Sequence, residues 1–502
     1  MGLRTDEPSP SEVPLAYRAV RGGLGVAVSS YWNIVFGFAV NILLTRLLPV
    51  EAFGIFTLAT FYALLFHLQS KLNLGYAFAQ FKETSGDEVV TYFEMELTLA
   101  MAGFLLTLVA VPILSTFVMP ASIAPVVIVL GAIGFVQGLN GALSTLLDKE
   151  LRFTWPSIFG IMIMTLSYGP AVYLALTGKG VWSLVAQNLV QVVLSALVGC
   201  WLVRQRLAHI WRRRRRFDPP LARHFLRFGL VTLGAFLGAT LVGTLDNFLV
   251  GTFRGIEQLG FYDRAYRTAQ WPGLLFNALN ARAAFYTYAR LQDDTERLRK
   301  TATMLMWLIS AATAPLLVVL LITAPDLLRL IYGERWLPSA PLLRLLVIAT
   351  AARPLVENAG SLFTSTGRPG WTTRFVIVQL AVLALSGIFL TLAFGTIGTC
   401  VAVGLSYAAA VATIYCHVRT LVAIDLKTNV GVPAMAAVLT LAGYFAFNRV
   451  IPLSELALAA RIGIKMLYST GMFLALLVVL QPRLTRERVR YVWQLMGKDA
   501  RA

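Results

Sequence analysis

Long uncharged apolar runs, separated by short polar segments, set the rhythm of this chain. Ala100–Val118, Trp307–Ala324, Phe375–Val403 and Met466–Leu480 with its flanks are examples. Runs of this kind approach or exceed the ~20 residues that an α-helix needs to cross a hydrocarbon core. The pattern predicts about fourteen such spans. They lie near residues 24–46, 53–80, 93–118, 122–147, 154–176, 181–203, 226–250, 259–288, 301–324, 340–365, 373–394, 397–420, 430–448 and 461–480. Lipid cannot hydrogen-bond an exposed backbone, so the expected fold is an all-α polytopic membrane protein.

Polar positions interrupt this pattern most tellingly in Asp246–Asn280, where an apolar helix ends, turns at Gly255 and gives way to a second helix. In the second helix Asp263, Arg267, Gln270, Gly273, Asn277 and Asn280 recur every three or four residues and share one face. A polar stripe on a spanning helix means that water or polar partners lie inside the protein. The stretch also has an earlier echo. Asn41–Phe56 aligns without gaps on Asn247–Tyr262, matching Asn41, Leu43, Glu51 and Gly54 to Asn247, Leu249, Glu257 and Gly260. At the same offset His67 falls on Gly273 and Lys71 on Asn277. The chain is thus expected to hold two similar halves of six helices each.

Composition agrees with a membrane protein. Of 502 residues 57% are hydrophobic and 14% charged, with a mean hydropathy of +0.71; soluble domains carry about 25% charged residues. The net charge of +18 is unevenly placed. Arg4, Arg18, Arg21, Lys82, Lys149, Arg152, the Arg204–Arg227 segment, Arg290–Lys300, Arg368, Arg374, Arg419, Lys427 and the C-terminal tail fall on one side. Arg46, Lys179, Arg254, Arg329, Arg335, Arg449 and Arg461 fall on the other. The positive-inside rule then puts both termini in the cytoplasm. Polar residues and three prolines precede the first apolar run, so no cleavable signal peptide is expected.

The expected organisation is an N-lobe over 1–203, a basic cytoplasmic linker over 204–224, a C-lobe over 225–421, two added helices over 422–482 and a basic cytoplasmic tail over 483–502. The five arginines Arg212–Arg216 could mark a nucleic-acid or acidic-lipid patch. Their place on the positive side favours a plain linker, and no nucleic-acid partner is expected. Gly134 with Gly138 and Gly234 with Gly238 have the spacing of close helix contacts. Pro112, Pro170, Pro272, Pro315 and Pro354 predict kinks or breaks. Cys200, Cys400 and Cys416 lack metal-ligand spacing, and four scattered histidines make no cluster. No metal or cofactor is expected.

Charges within the spans need partners or a water-filled space, since a lone charge at mid-bilayer costs about 2.5–3.5 kcal/mol. His67 and Lys71 lie four apart, as do Asp263 and Arg267, and Arg353 and Glu357. Asp246 closes the seventh span near its outer side. A central hydrophilic cavity of positive potential follows, suited to an anionic group such as a pyrophosphate. Its expected substrate contacts are Lys71, His67, Arg267, Asn277 and Arg353. The plainer alternative is that Asp263–Arg267 and Arg353–Glu357 are neutral pairs that hold the bundle together. Ion coupling needs a carboxylate, for which Asp246, Asp263 and Glu357 are the candidates. No P-loop and no catalytic constellation is present, so an enzyme is not expected.

Four stretches resemble a known family. TRLLPVEAFGIFTLATF followed by LGYAFAQF, LLDKELRF, and DNFLVGTFRGIEQLGFYDRAY are similar to segments of bacterial polysaccharide-unit flippases. These are the Wzx-type polysaccharide transporters of the multidrug/oligosaccharidyl-lipid/polysaccharide exporter superfamily. The resemblance covers residues 18–480. It implies two six-helix lobes around a central cavity, related by a pseudo-two-fold axis. It also implies ion-driven transfer of an undecaprenyl-pyrophosphate-linked oligosaccharide across the bacterial inner membrane for surface polysaccharide synthesis. The implied partners are that lipid-linked oligosaccharide, membrane lipids, and a polysaccharide polymerase and chain-length regulator.

Three other readings compete. A lipid II flippase would carry basic residues in its first helix, where this chain has Ser30, Asn33 and Asn41. A drug or cation antiporter of the same superfamily would more often have twelve helices and an acidic cavity. A membrane scaffold would recruit partners through its basic loops.

Overall fold

The computed structural model describes residues 15–67, 72–81, 85–150, 154–212, 216–273, 284–285, 287–421, 425–451 and 453–499. The chain folds as two compact units, Met1–Leu237 and Gly238–Ala502. The regular elements among the described residues are helices.

The first unit holds α1 (Leu15–Leu47), α2 (Val50–Phe66), α3 (Leu74–Gln80), α4 (Gly86–Phe117), α5 (Ala124–Lys149), α6 (Thr154–Leu176) and α7 (Trp182–Arg212). It also holds the start of α8 (Pro219–Val242). A capping box starts α4: the Glu88 N–H donates to Ser85 Oγ, and the Ser85 N–H to Glu88 Oε2, both at 3.2 Å. Two of the backbone donors left over at a helix start are thereby satisfied. Helix α5 packs against α2, α4 and α7, and α6 against α1 and α7. A core of Phe78, Tyr92, Leu146 and Phe225 joins α3, α4, α5 and α8. Phe78 stacks on Tyr92 at 4.5 Å.

The basic segment expected as a linker is largely helical. Helix α7 continues to Arg212, and α8 begins at Pro219. Between them the Arg216 N–H donates to Asp87 and the Asp218 N–H to Thr91 Oγ1, which ties the turn to the start of α4. Arg213, Arg214 and Arg215 lie outside the described residues.

The second unit holds α9 (Leu245–Arg254), α10 (Ile256–Ala269), α11 (Thr295–Ile331), α12 (Ser339–Ala349), α13 (Arg353–Ser365) and α14 (Pro369–Leu421). It continues with α15 (Val432–Val450), α16 (Leu458–Leu480) and α17 (Pro482–Asp499). Helix α14 is two helices folded back on each other. At Gly395 φ is +70° and ψ −150°, a conformation almost confined to glycine. The Thr391 and Thr399 hydroxyls sit 2.7 Å apart, whereas eight residues of continuous helix would separate them by about 12 Å. Arg254 closes the turn by donating to Thr391 O, from Nε at 3.0 Å and Nη2 at 2.6 Å, and to Leu392 O at 2.7 Å. The added helices α15 and α16 pack on α11 through Trp307, Ala314, Ala436, Phe473 and Leu477. The tail is helical as α17, and the Arg488 guanidinium lies 5.0 Å above the Trp307 ring.

Ten stretches among the described residues are long and apolar enough to cross a membrane, or eleven with the bent pair Pro219–Val231 and Phe236–Val242. That differs from the fourteen expected from sequence, for two visible reasons. One of the ten, Pro369–Arg419, contains both of the expected spans 373–394 and 397–420, joined at Gly395. The expected spans 53–80 and 259–288 run through residues outside the description. The surface fits lipid: Leu385, Phe389 and Leu392 form an apolar stripe along α14, 75%, 70% and 56% exposed. A water-facing surface seldom carries such a stripe.

Candidate functional site

The turn expected at Gly255 is present, with φ +90° and α10 beginning at the next residue. It brings the ends of α9 and α10 together. Asp246, in the first turn of α9, is 1% exposed. Its carboxylate accepts from the Tyr262 hydroxyl at 2.7 Å and from the Asn247 N–H at 2.9 Å. Asp263, one turn further along α10 than Leu259, is equally enclosed at 3%. It accepts from Arg264 Nη2 at 2.7 Å and from Arg267 Nε at 2.9 Å. One carboxylate thus serves two guanidiniums, and the cluster carries a net positive charge. The Arg264 side chain is buried, while that of Arg267 is 56% exposed.

Pro354 decides where the next group sits. Proline has no N–H to donate and suits the first turn of a helix. The run expected as one span, 340–365, breaks accordingly after Ala349 and restarts at Arg353. Arg353 Nε then meets Glu357 Oε1 one turn later, at 2.8 Å. Both side chains face a cavity of about 620 Å³ within the second unit. Tyr266, Gln270, Ser361, Thr364, Gln379 and Tyr407 add polar groups to its wall. Tyr266 and Tyr407 stand together with Arg353 on this wall. A smaller cavity shares Gln270, Arg353 and Glu357 with it and adds Gly273, Thr313 and Thr350.

The polar stripe expected on α10 is therefore divided. Gln270 lines the cavity, Asp263 is enclosed with Arg264, and Arg267 is exposed without being part of the cavity wall. Lys71 and Asn277, two of the expected substrate contacts, lie outside the described residues. His67 lies in the first unit at the end of α2. Its imidazole is seated over Gly134 of α5, so close that a Cβ there would lie 2.1 Å from Nε2. Gly238 likewise faces Val376 at 3.1 Å, whereas Gly234 faces open space. Among the described residues no group of three or more His, Cys, Asp or Glu side chains is placed to hold a metal.

Two buried polar groups were not singled out from sequence. Asp326 of α11 is clasped by Arg461 Nη2 at 2.7 Å and Lys465 Nζ at 2.6 Å, both from α16. A lysine inside an apolar span was the available signal. Glu96 of α4 is buried one turn along the helix from the buried Tyr92. The acids Glu94 and Glu96 at the start of the expected span 93–118 were the available clue, and spacing alone does not say which of them is enclosed.

Comparison with known proteins places this architecture. The family described as "Polysaccharide biosynthesis protein" matches residues 43–341. The chain is 25% identical over 299 residues to the teichuronic acid biosynthesis protein TuaB of Bacillus subtilis (strain 168), covering 59% of this chain and 61% of that one. It is 23% identical to an uncharacterized membrane protein in the cps region of Klebsiella pneumoniae, covering 77% and 79%. It is 22% identical to the lipopolysaccharide biosynthesis protein WzxC of Escherichia coli (strain K12), covering 73% of each. The match to TuaB spans less than two thirds of that relative's length. In fold the chain is similar to the lipid II flippase MurJ in an inward closed conformation, with a TM-score of 0.71 at 11% identity over 91% of this chain and 100% of that one. It is also similar to an inward-facing MATE family multidrug resistance transporter, with a TM-score of 0.62 at 16% identity over 77% and 94%.

Proposed function

The chain belongs to the polysaccharide biosynthesis protein family, which matches more than half of it, and from that premise we propose that it moves lipid-linked polysaccharide repeat units across a membrane. It is a multi-pass membrane protein of a transporter fold. The membrane proposed is the bacterial inner membrane, with both termini in the cytoplasm as the distribution of Lys and Arg suggests. The cargo proposed is an undecaprenyl-pyrophosphate-linked oligosaccharide, and the downstream partners a polysaccharide polymerase and a chain-length regulator.

One observation carries the mechanism: the Arg353–Glu357 pair stands on the wall of the 620 Å³ cavity. A guanidinium matches the paired oxygens of a phosphate as well as those of a carboxylate. A pyrophosphate entering the cavity therefore competes with Glu357 for Arg353. A proton arriving on Glu357 removes the competitor and favours the loaded state. Its departure restores the pair and favours release. Asp246, hydrogen-bonded to a neutral tyrosine, is a second place for the coupling ion. Asp263, shared by two arginines, is the least free of the three carboxylates to take part. Arg267, with more than half its side chain exposed, is a further cation for the headgroup. Lys71, His67 and Asn277 remain proposed contacts on sequence grounds.

Deleting the gene in its host tests this reading. Lipid-linked repeat units should accumulate on the cytoplasmic face and surface polysaccharide should disappear. The wild-type gene should restore both, and an Arg353→Ala gene expressed to the same level should not. Accumulation of a peptidoglycan precursor would favour the lipid II reading. A change in drug sensitivity alone would favour the antiporter.

A further inference from the structure

A second cavity, of about 540 Å³, opens among α11, α12, α15 and α16. It lies apart from the residues assigned above to transport. Arg344, Arg461 and Lys465 supply its cations, and Tyr444 and Asn448 its neutral polar groups. Asp326 balances only one of the two charges that clasp it, so with Arg344 the group carries about two unpaired positive charges. Arg344 Nε donates to Leu321 O at 3.1 Å. Arg461 Nε is buried and has no hydrogen-bond partner among the described residues. The mouth is apolar: Ile348 and Phe445 are 61% and 64% exposed.

The depth of the site is fixed by the helix ends. Asp326 and Asn448 lie near the C-termini of α11 and α15 and Arg461 near the N-terminus of α16, with Lys465 one turn deeper, while Arg344 stands midway along the short helix α12. At 1.5 Å per residue each is within about 11 Å of a helix end. Arg461 and Asn448, within about 5 Å of their helix ends, mark the level at which hydrocarbon gives way to headgroups, and the long Lys465 side chain reaches toward it from deeper in the span. A cationic floor, an apolar mouth and this depth match one class of molecule, an amphipathic anion resident in the bilayer. We propose that this cavity binds the phosphate of an anionic glycerophospholipid, with its acyl chains passing over Ile348 and Phe445. The bound lipid fastens the added pair α15–α16 to α11 and α12, and makes stability depend on the surrounding membrane.

The full-length protein in detergent, titrated with dioleoylphosphatidylglycerol or dioleoylphosphatidylcholine and read by native mass spectrometry, tests the proposal. The anionic lipid should bind about tenfold or more tightly than the zwitterionic one, as expected for a charge-assisted contact. Arg344→Gln and Arg461→Gln should each erase most of that preference, and Arg344→Lys should keep part of it. Arg344 stands outside the Asp326 cluster and its one hydrogen bond, to Leu321 O, is exposed, so Arg344→Gln should unfold only slightly lower without lipid and lose the rise that phosphatidylglycerol gives the wild type. Equal binding of the two lipids would overturn the proposal, and so would an undiminished preference in Arg344→Gln. Stabilisation by inorganic phosphate alone that equals the effect of phosphatidylglycerol would overturn the lipid assignment.

Discussion

Lys149 Nζ donates to the Phe78 carbonyl at 2.9 Å and lies 4.1 Å above the centre of the same residue's ring. Phe78 stands in the stretch LGYAFAQF and Lys149 in LLDKELRF, so two of the four stretches that carry the family resemblance bind each other. The lysine joins the C-terminal end of α5 to the backbone of α3. Lys149→Ala should cost about 1–2 kcal/mol, from a charge-assisted hydrogen bond and a cation–π contact that are both partly exposed. Thermal unfolding of the purified protein in detergent measures it. An unchanged unfolding temperature would show that the contact adds nothing to stability.

His67 and Gly134 make a steric pair. Gly134→Ala places a methyl group on the imidazole and should destabilise the first unit by about 1–3 kcal/mol. His67→Ala in the same chain should recover most of the loss, because the clash is gone. The double-mutant cycle reads the coupling directly, and simple additivity of the two changes would argue against the seating described.

Arg353 and Glu357 are about one third exposed, so their pair should add less than about 1 kcal/mol to stability. Their effect on transport should be out of proportion to this. Arg353→Ala should abolish transfer of lipid-linked units at normal protein levels. Glu357→Gln should retain cargo binding while losing its response to external pH. Transport in Arg353→Ala cells at the wild-type rate would remove the basis of the mechanism.

Among the described residues Asp326 is the sole anion that Arg461 and Lys465 clasp in common. Asp326→Asn leaves two enclosed cations without compensation and should cost about 3–5 kcal/mol. Neutralising all three together, with Arg461→Gln and Lys465→Gln added, should restore part of it. A triple variant no more stable than Asp326→Asn would contradict this account.

Gly395→Ala should cost about 1–3 kcal/mol through backbone strain alone. The new methyl would meet Arg254 at an ordinary contact distance of 3.5 Å, so crowding is not the reason. Proteolysis at the turn between the two arms of α14 should rise in the variant. Equal resistance would show that the turn tolerates a side chain.

Much of the fold was legible in the sequence because lipid imposes one rule on every span. The i,i+4 pairs Asp263–Arg267 and Arg353–Glu357 were legible because a helix brings such neighbours together whatever surrounds it. The echo between Asn41–Phe56 and Asn247–Tyr262 has a structural counterpart. At its offset Val50, where α2 begins, falls on Ile256, where α10 begins. Glu51 and Glu257 both stand in the first turn of their helices, where the helix dipole favours an acid. Other features were hidden. Asp326 meets its partners more than a hundred residues away, and no local spacing announces that contact. The rotation of α10 that puts Gln270 on the cavity wall and leaves Arg267 off it depends on packing with other helices, which periodicity does not describe.

At that shared joint the two halves use different residues. Pro49 precedes α2 with φ at −67°, while Gly255 precedes α10 with φ at +90°. A pyrrolidine ring fixes φ at the first joint, and the absence of a Cβ admits a positive φ at the second. The paired elbows are therefore unequal in what they permit: φ is fixed by the ring at Pro49, whereas at Gly255 the left-handed φ that makes the turn costs no steric strain.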